Sequence, residues 1–207
     1  MKEKKTSRDI KMENTHQLIL DAANRLFKER KYDEVSIKDI CDASGTSVGT
    51  FYHHFGSKEH LVELFYQEFD NYIGKFFDDF NSLPPLGALY SIIGHEMDYL
   101  CTNVTYPSQI CVMQLISGAE AFDEVNRTYY KCLQRIVDRI FDCDATRGIE
   151  KTDFFEAILR YTRGDLYDWC LHNGSYDLKS QVLWDVSLFM EGLFSRGYLI
   201  REKLSTS

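Results

Sequence analysis

The chain has 207 residues, a formal net charge of −8, and 44% hydrophobic and 14% aromatic residues. This composition excludes a disordered chain, and the length suits one large domain or a small domain joined to a larger one. With 3 prolines and 12 glycines the chain lacks the turn residues of an all-β fold. No apolar run of about 18 residues is present to span a membrane, and the charged start MKEKKTSRDIKMEN has no signal-peptide core. A cytoplasmic protein is expected.

The acidity is uneven. Residues 1–60 hold 11 Lys and Arg against 10 Asp and Glu, a balance of +1, so the total of −8 leaves −9 for the rest. The acidic part favours solubility and repels nucleic acid, whereas the N-terminal part does not. The six cysteines, at 41, 101, 111, 132, 143 and 170, form no CxxC and no Cys/His pair at zinc spacing. They read as reduced, buried apolar residues, with Cys101 and Cys111 the closest pair for a thiol sensor. No metal and no cofactor is expected.

In chain order, residues 1–13 are a charged arm with Lys2, Lys4, Lys5, Arg8 and Lys11. The arm is either a solvated terminus or a segment that touches phosphates or a minor groove. A first helix is predicted from Asn14 to Glu29, with Leu18, Ile19, Ala22, Ala23, Leu26 and Phe27 at helical spacing. A second helix opens at Ser36, an N-cap with Asp39 three residues on as the reaching-back partner of a capping box. Ile37, Ile40, Cys41 and Ala43 form its apolar side. Gly45 stops it, because glycine enters positive φ without penalty. Ser47 or Thr46 then caps a short third helix through His54, with Phe51 and Phe55 inward and Thr50, Tyr52, His53 and His54 outward. Two short helices around a glycine turn make a helix-turn-helix.

The rest reads as long helices. Ser57 caps a fourth helix from Lys58 to Asn81, carrying Leu61, Leu64, Phe65, Phe69, Tyr72, Ile73, Phe76, Phe77 and Phe80. Ser82–Gly87 breaks the chain, and a fifth helix runs from Leu86 to Thr102. A turn at Tyr106-Pro107 precedes a sixth from Ser108 to Ile116, which Gly118 ends, and a seventh spans Asp123 to Phe141. After a polar loop from Asp142 to Glu150, an eighth covers Asp153 to His172 and a ninth Leu178 to Lys203. The last two carry more apolar surface than one side can use, which points to pairing with a second chain. The expected fold is all-α, with about nine helices: a DNA-binding domain over residues 1–58 and a larger helical domain over 59–207.

The stretch beginning at Ser36, SxxDIxxxxGxSxGTFYHHFGSKEHL, resembles the DNA-binding core of the TetR (tetracycline-repressor-like) family of bacterial transcription regulators. The resemblance covers about the first third of the chain. It implies a dimeric, ligand-responsive regulator, most often a repressor, that binds a palindromic double-stranded DNA operator and is released by a small molecule. It also implies that the last two long helices form a four-helix bundle across a two-fold axis, and that Tyr52 reaches a phosphate through its hydroxyl.

For DNA contact the candidates are Ser36, Lys38, Ser47, Val48, Gly49, Thr50, Tyr52, His53, His54 and Lys58. Thr50 and Val48 suit base edges and the thymine methyl, and Gly49 permits close backbone approach. Tyr52, His54 and Lys58 suit phosphates, Ser36 and Lys38 the adjacent backbone, and His53 either. No Arg, Asn or Gln lies between Ser47 and Ser57, so specificity is expected to lean on methyl contacts, backbone approach, the arm or DNA shape. An apolar effector cavity among the middle helices is expected to use Phe69, Phe77, Ile93, Glu96, Tyr99, Met113, Tyr129, Tyr161 and Trp169, for a hydrophobic or aromatic ligand. The homodimer candidates are Leu166, Val182, Val186, Phe189, Leu193 and Phe194. The alternative reading is a DNA-bound protein whose acidic body recruits a protein partner. No catalytic motif is found, so no enzyme is expected.

Overall fold

The computed structural model describes residues 6–103, 127–143 and 145–205. The expected sixth helix, the start of the seventh, Cys111, Met113 and Lys2, Lys4 and Lys5 lie outside the described residues, as do the side chains of Arg8, Leu64 and Phe65. Among the described residues the fold is all-α, and the one β contact is an isolated bridge between Thr146 and Leu199.

The head comprises α1 (Ser7–Glu29), a 3-10 turn (Tyr32–Glu34), α2 (Ile37–Ser44) and α3 (Val48–Phe55). Its α1 starts seven residues earlier than its apolar periodicity suggests. No Pro or Gly interrupts the chain between Thr6 and Asn14, and Ile10 N–H already donates to Thr6 O at 3.1 Å. Most of the expected arm is therefore helix. The capping box is present: Asp39 N–H donates to Ser36 Oγ at 3.1 Å, and Ser36 N–H donates to Asp39 Oδ2 at 2.8 Å. Gly45 sits at φ 68°, where a side chain would be strained, and ends α2 as expected.

The head core joins Ile19, Leu20 and Ala23 of α1 to Val35, Ile40, Phe51 and Phe55. Tyr32 is part of it as well, which its position in a polar stretch hid. Tyr52 faces outward at 51% exposed, and Leu18, read as part of the apolar stripe of the first helix, is 55% exposed. Both lie off the stripes that Ile19 and Phe51 define.

The body comprises α4 (His60–Gly74), α5 (Phe77–Ser82), α6 (Pro85–Asn103), α7 (Thr128–Asp142), α8 (Lys151–Leu171), α9 (Leu178–Ser195) and α10 (Arg201–Leu204). The fourth helix is not one rod to Asn81. At Gly74 the hydrogen bonds tighten, with Lys75 N–H donating to Tyr72 O and Phe76 N–H to Ile73 O, and Phe76 leaves helical geometry at ψ 9°. Glycine is a weak helix former, and the break lets the Phe76 ring stack on His95 at 3.9 Å. The final helix also ends early. Gly197 turns at φ 72°, and the chain then returns beside residues 145–147, with Ile200 N–H donating to Ala145 O at 2.8 Å.

In the body core α6 is central. Leu89, Ile92, Ile93 and Met97 are fully buried, and α6 packs against α4, α5, α7 and α9. This placement corrects the proposed pairing surface. Leu166, Val182, Val186 and Leu193 lie inside the chain's own core, and Phe189 and Phe194 are half-buried against it. The stripe on the opposite side of α9, two residues out of phase, is the exposed one: Trp184 is 61% and Leu188 51% exposed, and Tyr167 and Leu171 on α8 are exposed as well. Of the cysteines, Cys41, Cys132 and Cys170 are buried as expected, whereas Cys101 is exposed.

The capping box predicts a stability effect. Ser36→Ala should destabilise the protein by about 1 kcal/mol, because Asp39 N–H loses its acceptor. Urea unfolding checks this; an unchanged midpoint would show that water replaces the cap without loss.

Candidate nucleic-acid interface

The exposed face of α3 is held from beneath by two rings. Phe51 and Phe55 are buried and stacked with centroids 5.4 Å apart, which fixes the roll of the helix. Ser47 caps its start, its Oγ accepting from Thr50 N–H at 3.1 Å, and the Ser47 and Thr50 hydroxyls share a further bond of 2.8 Å. With both hydroxyls engaged, the Thr50 methyl is its free chemical feature. Val48 is 44% exposed, and Gly49 and His53 are exposed beside Tyr52. These residues form one convex strip.

Two other candidates are more constrained. The Ser36 hydroxyl also donates to Asp39 Oδ2 at 2.7 Å, so the capping box uses both its donor and its acceptor. These bonds, with Arg30 at 3.6 Å, hold the Asp39 carboxyl below its ordinary range. Lys58 turns away from solvent. Its Nζ donates to Tyr32 O at 2.5 Å and sits 3.8 Å from the centre of the Tyr32 ring. Burial lowers its pKa, and burial, followed by Glu59 and Asp33, pushes Tyr32 up to about 12. Lys38 is exposed on the first turn of α2.

The sequence reading missed His16. Its ring stacks on Phe55 at 4.5 Å and lies 6.0 Å from the His54 ring. The signal was present, since His16 lies three and four residues before Ile19 and Leu20 on the buried face of α1.

In the body, the expected pocket residues separate into groups. Phe69, Glu96, Tyr99 and Tyr129 converge from α4, α6 and α7. Phe69 lies 5.2 Å from Tyr99 and 5.4 Å from Tyr129, and the Tyr129 hydroxyl donates to Glu96 Oε2 at 2.6 Å. Burial raises Glu96 to about 7, against the pull of Tyr129, Arg163 and Arg127, and raises Tyr129 well above its ordinary value. Ile93 is buried in the core around α6. Phe77 lies under Arg135, Tyr161 is exposed against Phe189, and the Trp169 indole donates to Tyr176 O at 3.0 Å. These three do not join the cluster.

Asp70 links this cluster to the head. It accepts from Thr128 N–H at 3.2 Å and Tyr129 N–H at 3.3 Å, and pairs with Arg127 at 3.3 Å. The Arg127 guanidinium in turn lies 4.5 Å from the Tyr66 ring, which packs on the head core. Nothing in the sequence signals a pair 57 residues apart.

The family model described as "Bacterial regulatory proteins, tetR family" matches residues 19–65. Residues 19–65 thus match the DNA-binding head of the TetR family. The chain's similarity to the transposon Tn10 TetC protein of Escherichia coli is 33% identity over 131 residues, 61% of this chain and 65% of that protein. The chain thus spans just under two thirds of that relative. Similarity to the HTH-type transcriptional regulator AcrR of Shigella flexneri is 23% over 199 residues, covering 86% and 89% of the two chains. Among solved structures, the transcriptional regulator FadR from Bacillus subtilis in complex with stearoyl-CoA superposes with a TM-score of 0.64 at 19% identity, covering 81% of this chain and 95% of FadR. At that identity the likeness is one of fold: a TetR head on a helical body. No helix among the described residues is long and apolar enough to cross a membrane.

Glu96 sets a pH dependence. A carboxyl raised from 4.5 to about 7 in the fold binds more protons folded than unfolded, so its ionisation costs stability as pH rises through that window. Glu96→Gln, which still accepts from Tyr129, should be more stable than the parent at about pH 8 by on the order of 2–3 kcal/mol, and nearly equal at about pH 5. Urea unfolding at both pH values checks this, and an equal difference at both would refute it.

Proposed function

We propose that this chain is an effector-responsive transcription regulator of the TetR family, most simply a repressor, that binds a palindromic operator as a homodimer. The observation that carries the reading is the convex strip of Val48, Gly49, Thr50, Tyr52 and His53, set on a helix whose roll is fixed by buried Phe51 and Phe55. A helix-turn-helix offers such a strip to the major groove. Val48, Gly49 and Thr50 meet base edges, Ser47, Tyr52, His53 and His54 the groove wall and phosphates, and Lys38 and Ser36 the adjacent backbone. Lys58 contributes once it leaves Tyr32. The division into a DNA-binding unit over 1–58 and a body over 59–207 belongs to the same reading, with α4 shared between the two cores through Leu61 and Tyr66.

A body effector fits the aromatic cluster around Glu96. FadR, a relative in fold, is described with bound stearoyl-CoA, which supports a hydrophobic ligand here. A ligand that parts Phe69, Tyr99 and Tyr129 displaces the start of α7, and with it Asp70 and α4. A coupling of about 1–3 kcal/mol suffices to weaken DNA binding five- to 150-fold.

For the dimer, the outer stripe of Tyr167, Leu171, Trp184 and Leu188 is the apolar surface that a second copy would cover. Fluorescence anisotropy against the gene's own upstream intergenic DNA, with a salt series, tests the function. Competitor-resistant binding by two protomers or a multiple per site is expected, with a steep salt slope. Paired Trp184→Lys and Leu188→Lys changes should yield monomers by sedimentation and reduce operator affinity at least tenfold. Binding no tighter than to random DNA would remove the operator reading, and dimers that survive both changes would remove this interface.

A further inference from the structure

Of the chain's six histidines, His16, His53 and His54 lie in the head and His60 at the start of α4 beside it. Their rings form a continuous group around Phe55. His16 of α1 stacks on Phe55 at 4.5 Å and 20°, and Phe55 in turn stacks on Phe51 at 5.4 Å. His16 is thus locked by packing against the base of α3. The His54 ring stands 6.0 Å from it at 56°, His53 stands 5.6 Å from His54, and His60 lies 6.4 Å from Phe55. His16 and His54 are both half-buried, and among the described residues neither ring nitrogen makes a hydrogen bond within the protein.

We propose that His16 and His54 together form a phosphate-binding clamp at the flank of the recognition helix, which grips a DNA phosphate in its protonated form and makes DNA binding take up protons. The proposal rests on the DNA-binding reading above. An oxygen hydrogen-bonded to an imidazole nitrogen lies about 4 Å from the ring centre. Two such reaches overlap across the 6.0 Å between these rings, so the oxygens of one phosphate can meet both. His54 stands beside the exposed strip, where the edge of a helix in the groove meets the backbone. A neutral imidazole has one donor; an imidazolium has two, and a full charge.

The charged groups around the clamp set the sign. Burial, then His16 and His53, lowers His54 below its ordinary value, so the free head disfavours the charged form. From α1, Glu13 precedes His16 by one turn; from the start of α4 come His60, Lys58 and Glu59, with Lys58 engaged by Tyr32. A phosphate seated between the rings reverses the bias, because an adjacent negative charge favours the imidazolium. The complex then holds more protons than its parts. Affinity rises as pH falls through the range from the bound-state value to the lowered free value, and levels off below it. Glu96, raised to about 7, and Asp165, raised to about 6, titrate nearby in pH but belong to the body.

Phosphate contacts are independent of sequence, so a random-sequence duplex at low salt is a sufficient probe. Anisotropy at about pH 8 and about pH 6 should give an affinity gain of about tenfold on acidification, which is one proton taken up over part of that interval. His16→Gln and His54→Gln should each reduce the gain to about twofold or less, while His172→Gln, exposed at the far end of α8 in the body, keeps it. The imidazole resonances of the unmodified protein, followed by NMR, should titrate at higher pH for His16 and His54 once the duplex is added. That readout does not depend on a variant folding. A pH-independent affinity, a gain kept in full by both clamp variants, or unmoved His16 and His54 titrations would each overturn the clamp and leave the DNA-binding reading standing. No binding at either pH would overturn both.

Discussion

One carboxylate at the middle of α4 ties that helix to the start of α7. Asp70 accepts the backbone N–H groups of Thr128 and Tyr129 and pairs with Arg127, so it caps α7 and neutralises the charge beside that cap. Both partners are largely buried, and such a pair is costly to break by removing one member, because the other charge is then stranded. The same helix sends Leu61 and Tyr66 into the head and Phe69 and Ile73 into the body. A displacement at Tyr129 therefore has a short covalent and electrostatic path to the core that supports α3.

The head has the opposite character. It is small and makes little use of long-range charge. Its precision comes from local devices: the Ser36 box, the Ser47 cap, positive φ at Gly45 and Gly56, and two stacked phenylalanines. These orient a strip of small and polar groups with no arginine, asparagine or glutamine on it. Recognition built on methyl groups, close backbone approach and imidazoles gains less per base contact than bidentate readout. It gives phosphate contacts and DNA shape a larger share of the binding energy. A histidine clamp suits such a surface, because it adds charge without adding a base-reading side chain.

The body shows how an apolar count differs from an apolar surface. The ninth-helix residues Val182, Val186 and Leu193 have the spacing of an interface, yet they serve the chain's own core. Trp184 and Leu188, on the other side of the same helix, remain in solvent. Both stripes are apolar and both repeat at helical spacing. Their roles separate only once α6 and α8 occupy one side.

The sequence by itself determined what depends on near neighbours. The α class, the two caps, the glycine stop at Gly45 and the outward set on α3 all follow from interactions spanning three or four residues, and the run from Ser36 to Leu61 carries the family. What tertiary structure decided involves partners far apart in the chain or competing uses of one side chain. Lys58 turned to Tyr32 because that carbonyl and ring lie within reach only in the fold. The helix after Ser57 broke at Gly74, where the fold gives Phe76 a partner in His95. Phe69, Glu96, Tyr99 and Tyr129 met while Phe77, Tyr161 and Trp169 went elsewhere, because the relative roll of four helices is set by the packing of the whole core. Periodicity fixes which face of a helix is apolar, but only packing chooses what that face meets.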